Sequence, residues 1–538
     1  MDSSPSGGWL LYVSLAAKCG GEPYRVVGFV AVFLLAFAVT SLLHWASPGG
    51  PAWGRYWWNK RGGLGIGAAI PGPRGLPVLG SMSLMTGLAH RKLAAAVEGS
   101  PARRRLMALS LGETRVVVTA DPDVARELLA SAAFADRPVK ESAFGMLFHR
   151  AIGFAPYGTY WRALRRVAST HLFSPRQVSA SAAQRAVIAR QMVEAVRSAA
   201  AAGVVVARPF LKRASLHNVM WSVFGRKYEL AAPESEETAE LRSMVDEGYD
   251  LLGQLNWSDH LPWLAPFDLQ KTRSRCSSLV PRVNRFVTRI IDEHRARLNL
   301  AAVDFTDVLL SLHGNDKLSD ADMVAVLWEM IFRGTDTVAV LIEWIMARLV
   351  LHQDVQARVH DELDRVVGSD RAVTESDAAK LVYLQAVIKE VLRLHPPGPL
   401  LSWARLATSD VHVGGFLVPS GTTAMVNMWA ITHDPKIWSD PTEFKPERFV
   451  TGLSDHVAEF PIIGSDLRLA PFGSGRRSCP GKSLAIATVG FWVATLLHEF
   501  EWLPPLDKPC GIHLSEVLKL SCEMRTPLEA RLKPRHKV

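Results

Sequence analysis

Eighteen consecutive residues, Val26 to Leu43, carry no formal charge and are mostly Val, Phe, Leu and Ala. A helix of about this length is the least that crosses a bilayer core, so the sequence predicts a transmembrane anchor over residues 26–45. A secretory leader is shorter, more basic at its start and followed by a small-residue cleavage site, and this run shows none of these. Before it, Lys18 and Arg25 are matched by Asp2 and Glu22, whereas residues 46–80 hold Arg55, Lys60, Arg61 and Arg74 and no acid. The positive-inside rule then makes residues 1–25 a short lumenal N-terminus and places the large remainder in the cytosol. Residues 46–80 contain 15 Gly or Pro and read as a stiff, non-helical linker and hinge. Within it, Trp53, Tyr56, Trp57 and Trp58 are expected at headgroup level.

No second linker of that kind follows, so residues 81–538 are read as one domain. Hydrophobic residues are 48% and charged residues 21%, with 39 Gly and 32 Pro, which excludes disordered and collagen-like chains. The five cysteines, Cys19, Cys276, Cys479, Cys510 and Cys522, are odd in number and form no CxxC pair. Neither a disulfide scaffold nor a four-thiolate zinc site is therefore supported, and the bulk of the chain reads as facing a reducing compartment. The net charge of +9 is spread along the chain, which suits an anionic membrane or an acidic partner rather than nucleic acid. Amphipathic patterns at 181–200, 281–300, 340–366 and 381–395 outweigh short β-rich pieces at 114–119 and 411–418, predicting a mainly α fold with small sheets. The alanine run 199–202 is expected to end a helix at Gly203.

One helix stands out. Ser319 and Asp322 make a capping-box start, and apolar residues continue from Met323 to Leu351. Its middle reads Arg333-Gly334-Thr335-Asp336-Thr337, and buried polar groups cost free energy unless they are partnered. Such a cluster points to function, against the alternatives of a solvated face or a kink.

The most informative segment is Phe472-Gly473-Ser474-Gly475-Arg476-Arg477-Ser478-Cys479-Pro480-Gly481. A lone cysteine beside two arginines and ahead of a helix from Leu484 to Glu499 is placed to be a thiolate. Phe472, Gly475, Arg477, Cys479 and Gly481 match the Phe-x-x-Gly-x-Arg-x-Cys-x-Gly loop, and here the chain resembles the cytochrome P450 superfamily. Glu390-x-x-Arg393 and Pro446-Glu447-Arg448-Phe449 occur in the family's order. The proline hinge, Trp161-x-x-x-Arg165 and Asn256-Trp257-Ser258-Asp259 look like the plant microsomal branch, and Phe332 to Thr337 looks like its 78A subfamily.

The resemblance implies the P450 fold, with haem b between the long helix and the cysteine loop and Cys479 as axial thiolate. It implies Trp161, Arg165, Arg405 and Arg477 as neighbours of the haem propionates, and Glu390, Arg393 and Arg448 as a structural ion network. Asp336 and Thr337 resemble the family's acid–alcohol pair, with Thr337 at the oxygen site and Asp336 relaying protons from solvent. The implied activity is insertion of one oxygen atom from O2 into a C–H bond of a lipophilic small molecule. Electrons would come from NADPH through NADPH-cytochrome P450 reductase docked on the basic cysteine-side face, at the endoplasmic reticulum membrane. Subfamily likeness adds fatty-acid hydroxylation and a role in plant organ growth.

Arg333 departs from the family pattern, where most members have Ala or Gly. Four residues before Thr337, it shares a helix face with it and is read as an anchor for a substrate carboxylate. The other pocket walls are expected from 144–154, 250–265, 330–337 and Leu400 to Trp403. Two competing readings are a haem-thiolate hydroperoxide isomerase or dehydratase, which has no need of Asp336-Thr337, and a haem-binding sensor or carrier.

Overall fold

The computed structural model describes residues 23–60, 69–230, 232, 235–297, 304–400, 404–451, 456–457, 462, 464, 466–506 and 512–536. Readings that rest on residues 1–22, Arg61, 298–300 or 401–403 lie outside these. The first helix, α1 (Pro23–Trp45), contains a 19-residue apolar span with mean hydropathy 2.3 and no burial against the rest of the chain. Its composition and exposure fit a membrane anchor.

The connector after it is not wholly non-helical. Residues Pro51–Lys60 form α2, because a proline at the first helical position has no intrahelical N–H to lose and its φ is already suited to a helix. Gly54 permits the tight return, since a Cβ there would lie 1.9 Å from the His44 carbonyl oxygen. Trp53 is not at a headgroup surface either. It is fully buried, and its indole N–H donates to the carbonyls of Leu109 (2.9 Å) and Val116 (3.3 Å). Trp58 is the exposed member of the aromatic group, at 50%.

Those two carbonyls belong to β1 (Met107–Leu111) and β2 (Thr114–Thr119). With β3 (Arg405–Leu406) and β4 (Thr423–Val426) they form a four-stranded sheet in the order β1-β2-β4-β3, with β2 and β4 parallel. The 411–418 segment is a hairpin, Val411–Val413 with Phe416–Val418, turned at Gly414 and Gly415, which both have positive φ. Next to the sheet lies α3 (Ala89–Val97).

The rest is helical: α4 (Thr159–His171), α5 (Ala182–Ala200), α6 (Ala207–Phe224), α7 (Glu236–Gly253) and α8 (Thr272–Ala296) lead to the central α9 (Asp320–Leu351). The Ser319 hydroxyl accepts the Asp322 N–H at 3.2 Å and starts α9. The helix runs unbroken through its polar centre, so the cluster is no kink. Thr335 returns its hydroxyl to the Ile331 carbonyl at 2.6 Å, and a Cβ on Gly334 would sit 2.4 Å from Val219 of α6. The 340–366 pattern is broken at His352, after which α10 (Gln353–Val366) begins. The main core packs α9 against α11 (Val382–Leu394) and α12 (Lys482–Glu499), with Trp344, Trp492 and Leu384 fully buried. The chain finishes near a last hairpin, β5 (Glu516–Leu518) with β6 (Cys522–Met524).

Candidate active site

The loop before α12 is shaped by its glycines. Gly473 and Gly475 have φ of +67° and +69°, and a Cβ on Gly475 would come within 2.0 Å of the Leu129 carbonyl oxygen. Only glycine takes that backbone at that distance without strain. The turn is closed by the Cys479 N–H donating to the Phe472 carbonyl at 2.9 Å. The flanking arginines do not serve the sulfur as the sequence suggested. Arg476 is exposed and donates to the Ala130 carbonyl. Arg477 turns to the carbonyls of Ala135 (2.9 Å), Ile152 (3.2 Å) and Ala155 (2.7 Å). Burial pushes the Cys479 thiol up from its ordinary value, and the pull of Arg333, the Gly481 amide and Arg165 offsets this only partly.

Cys479, Phe472 and Gly481 line a cavity of about 300 Å³ together with Arg333, Gly334 and Thr337 of α9. Asp336 does not line it. Its carboxylate is 6% exposed and pairs with Lys212 of α6 at 2.8 Å. Burial raises the Asp336 carboxyl above the usual range while Lys212 opposes the rise. Thr337 and Asp336 therefore stand on two sides of one helix, the alcohol at the cavity and the acid on the partly exposed Lys212.

Arg165, Arg405 and Arg477 also line the cavity. Arg405 is 6% exposed, and its Nη1 is buried with no hydrogen-bond partner among the described residues. Burial and then Arg477 and Arg165 push it down to about 9. An unpartnered buried cation is costly unless an anion joins it. Trp161 does not reach the cavity surface; its indole N–H donates to the Ile152 carbonyl at 2.9 Å and its ring lies 4.4 Å under Arg477. It holds the wall behind the arginines.

The walls at Ile152, Gly153, Met330 and Leu400 were expected, but Phe144 and 250–265 contribute nothing, and Trp403 is outside the described residues. Tyr249, Asn218, Ser222 and Leu520 take part instead. Sequence reading also missed Arg137 and Glu329. Arg137 donates to the Gly153 carbonyl (3.1 Å) and the Ala404 carbonyl (3.1 Å), while Glu329 accepts the Gly153 N–H at 2.8 and 3.1 Å. Gly153 in the cavity wall is thus held at both its N–H and its carbonyl. The i,i+4 spacing of Glu329 and Arg333 was the signal for the second residue; an arginine ahead of Pro138 is no signal for the first.

Behind the cysteine loop, Glu390 and Arg393 are fully buried and bidentate, both bonds 2.7 Å. Arg448 adds a third contact to Glu390 at 3.3 Å. Arg393 also donates to the carbonyls of Thr432 (2.9 Å), Pro441 (2.7 Å) and Glu443 (3.0 Å), so its charge is fully engaged.

Another thiol, the buried Cys522, clusters with His90 and Glu516. It donates to Glu516 at 3.4 Å and does not line the cavity. The residues around Cys479 do fit a haem. A thiol, a wall of apolar side chains, a glycine-shaped loop and a buried cation lacking an anion are what an iron porphyrin with two carboxylates needs.

The family model described as Cytochrome P450 matches residues 70–523. The chain is 63% identical to "Cytochrome P450 78A9" of Arabidopsis thaliana over 528 residues, 98% of this chain and 97% of that one. It is 59% identical to "Cytochrome P450 78A3" of Glycine max, covering 98% of both chains. With "Flavonoid 3'-monooxygenase" of Arabidopsis thaliana it shares 36% over 86% of this chain and 91% of that one. The match along nearly the whole length, over a fold that brings the cysteine loop to the central helix, means that the chain belongs to the cytochrome P450 family, in its 78A subfamily, and is a haem-dependent monooxygenase.

Proposed function

We propose that Cys479 would hold the iron of a haem b through its sulfur in the cavity it shares with α9, and that the enzyme hydroxylates a lipophilic carboxylic acid such as a fatty acid. The observation that carries this reading is that Cys479 and Thr337, from two separate elements, line one cavity with the unpartnered Arg405. When bound, haem supplies the activation of O2 and its insertion into a C–H bond. Arg405 holds a propionate, with Arg165 and Arg477 beside it. Thr337 presents its hydroxyl to the cavity as a proton donor or acceptor, and Asp336 exchanges protons with solvent once it leaves Lys212. Electrons come from NADPH through a membrane-bound reductase. NADPH-dependent oxygen uptake by membranes holding both proteins is expected, and its absence would favour a hydroperoxide isomerase or a haem carrier.

Arg333 supplies the anion site. Its side chain lines the cavity and is 38% exposed, with Nη1 3.8 Å from Glu329, whose two oxygens accept the Gly153 N–H. A guanidinium at the cavity wall offers a substrate carboxylate two parallel donors. The wild type is expected to turn over dodecanoic acid better than its methyl ester, and Arg333→Ala to lose on the order of tenfold of that preference. An equal preference before and after substitution refutes the assignment. For the relay, Asp336→Asn is expected to lower turnover about 10²-fold with the haem spectrum intact; unchanged turnover would remove Asp336 from the reaction.

The exposed side chains of Leu76, Leu79, Trp257, Trp263 and Phe267 support a seat on the endoplasmic reticulum membrane. Two backbone bonds, Gly112 N–H to Leu79 (3.0 Å) and Glu113 N–H to His260 (2.8 Å), join these two segments into one apolar patch.

A further inference from the structure

The β5–β6 hairpin touches both halves of the site. Its tip residues Leu520 and Ser521 line the cavity, and the end of α7 presses on that tip, where a Cβ on Gly253 would lie 2.8 Å from the Leu520 nitrogen. Its base is fixed. Glu516 accepts from His90 at 3.0 Å and from Arg91. The Cys522 N–H donates to the Pro397 carbonyl at 2.9 Å, and the Cys522 carbonyl accepts the Trp344 indole N–H at 3.0 Å.

Side chains alternate along a strand, so the residue after Cys522 faces the other way. Glu523 is buried and directed at Lys212, with Nζ 3.8 Å from its Oε2. The same ammonium holds Asp336 at 2.8 Å. Lys519, at the start of the tip, reaches the second oxygen of Glu523 at 3.1 Å. One lysine is therefore shared unequally between two buried carboxylates, one adjoining Thr337 and the other two residues from Ser521. The pull of the ammonium on each carboxylate falls with distance and is little screened at the buried acids, so a small movement of Glu523 changes the share that Asp336 receives.

We propose that Glu523 is a positioning residue that couples contact at the Leu520–Ser521 tip to the Lys212–Asp336 ion pair. A molecule that fills the cavity shifts the tip about its fixed base, moves Glu523 toward Lys212, and releases Asp336 for proton transfer. Asp246, on α7, is the further acid in the field of Lys212. The coupling rests on Asp336 acting in proton delivery.

The test uses full-length haem-loaded protein in phosphatidylcholine vesicles and measures hydrogen exchange with and without 1-dodecylimidazole. This probe is held at the haem by its ring, fills the cavity with its alkyl chain and carries no carboxylate. In the wild type the probe is expected to change exchange both in 516–524 and at the centre of α9, 331–338. In Glu523→Gln the change should stay in the hairpin and vanish from α9. Leu520→Ala, which removes the contact rather than the charge, should abolish both and serves if Glu523→Gln fails to load haem. Persistence of the α9 response in Glu523→Gln, or absence of any hairpin response in the wild type, overturns the coupling. Because no turnover is measured, this result and the turnover of Asp336→Asn can fail independently.

Discussion

Cys479→Ser is expected to abolish the thiolate signature in the carbon monoxide difference spectrum of the reduced protein, together with all NADPH-driven oxidation. The wall residues stay, so the loop keeps its shape: the Cys479 N–H bond to Phe472 uses backbone only. What is lost is the soft, deprotonated sulfur. Burial already raises the thiol in the protein alone, so the anion depends on the metal, which deprotonates a coordinating thiol outright. A serine hydroxyl is far harder to ionise and gives iron a different ligand field. Cys522→Ser should leave the spectrum as it is, since that thiol donates to Glu516 away from the cavity. A thiolate spectrum that survives Cys479→Ser but not Cys522→Ser would reverse the assignment.

Arg393→Ala is expected to destabilise the folded protein by about 3–5 kcal/mol, the cost of stranding one member of a buried ion pair. Glu390 is fully buried, and removing Arg393 takes away both of its 2.7 Å bonds while exposing three backbone carbonyls to an unfilled space. Arg448→Ala should cost clearly less, because its one contact to Glu390 is 3.3 Å, its other bonds go to the exposed Ser439 and Asp440, and the bidentate pair stays intact. Denaturant midpoints followed by far-ultraviolet circular dichroism measure both. Equal midpoints for wild type and Arg393→Ala would show that the network adds nothing to stability.

What could be read in advance was what is local in the chain. The cysteine loop, the capped start of α9 at Ser319 and the Glu390–Arg393 spacing each lie within ten residues, and each was visible in its residue types. Contacts closed by the fold were not. Lys212 reaches Asp336 across 124 positions of sequence, and nothing beside it marks it as different from other lysines on amphipathic helices. Glu523 joins that lysine from the C-terminal hairpin, and Arg137 meets Gly153 through a loop of irregular structure. Two local readings also went astray for physical reasons. Proline at a helix start was taken for a breaker at Pro51, and adjacency in sequence was taken for adjacency in space at Arg476 and Arg477, whose side chains leave the sulfur for backbone carbonyls.

The indole of Trp53, bonded into the β1–β2 pair, bears on how the body stands at a lipid surface. Ten residues of α2 wound as helix reach about 15 Å, against roughly 33 Å drawn out, and its first turn is bolted to the sheet through Trp53. The anchor is therefore a short stalk with a rigid joint. In a bilayer, a tilt of α1 would rock the body attached to it, and membrane thickness would become a mechanical input to the orientation of the enzyme.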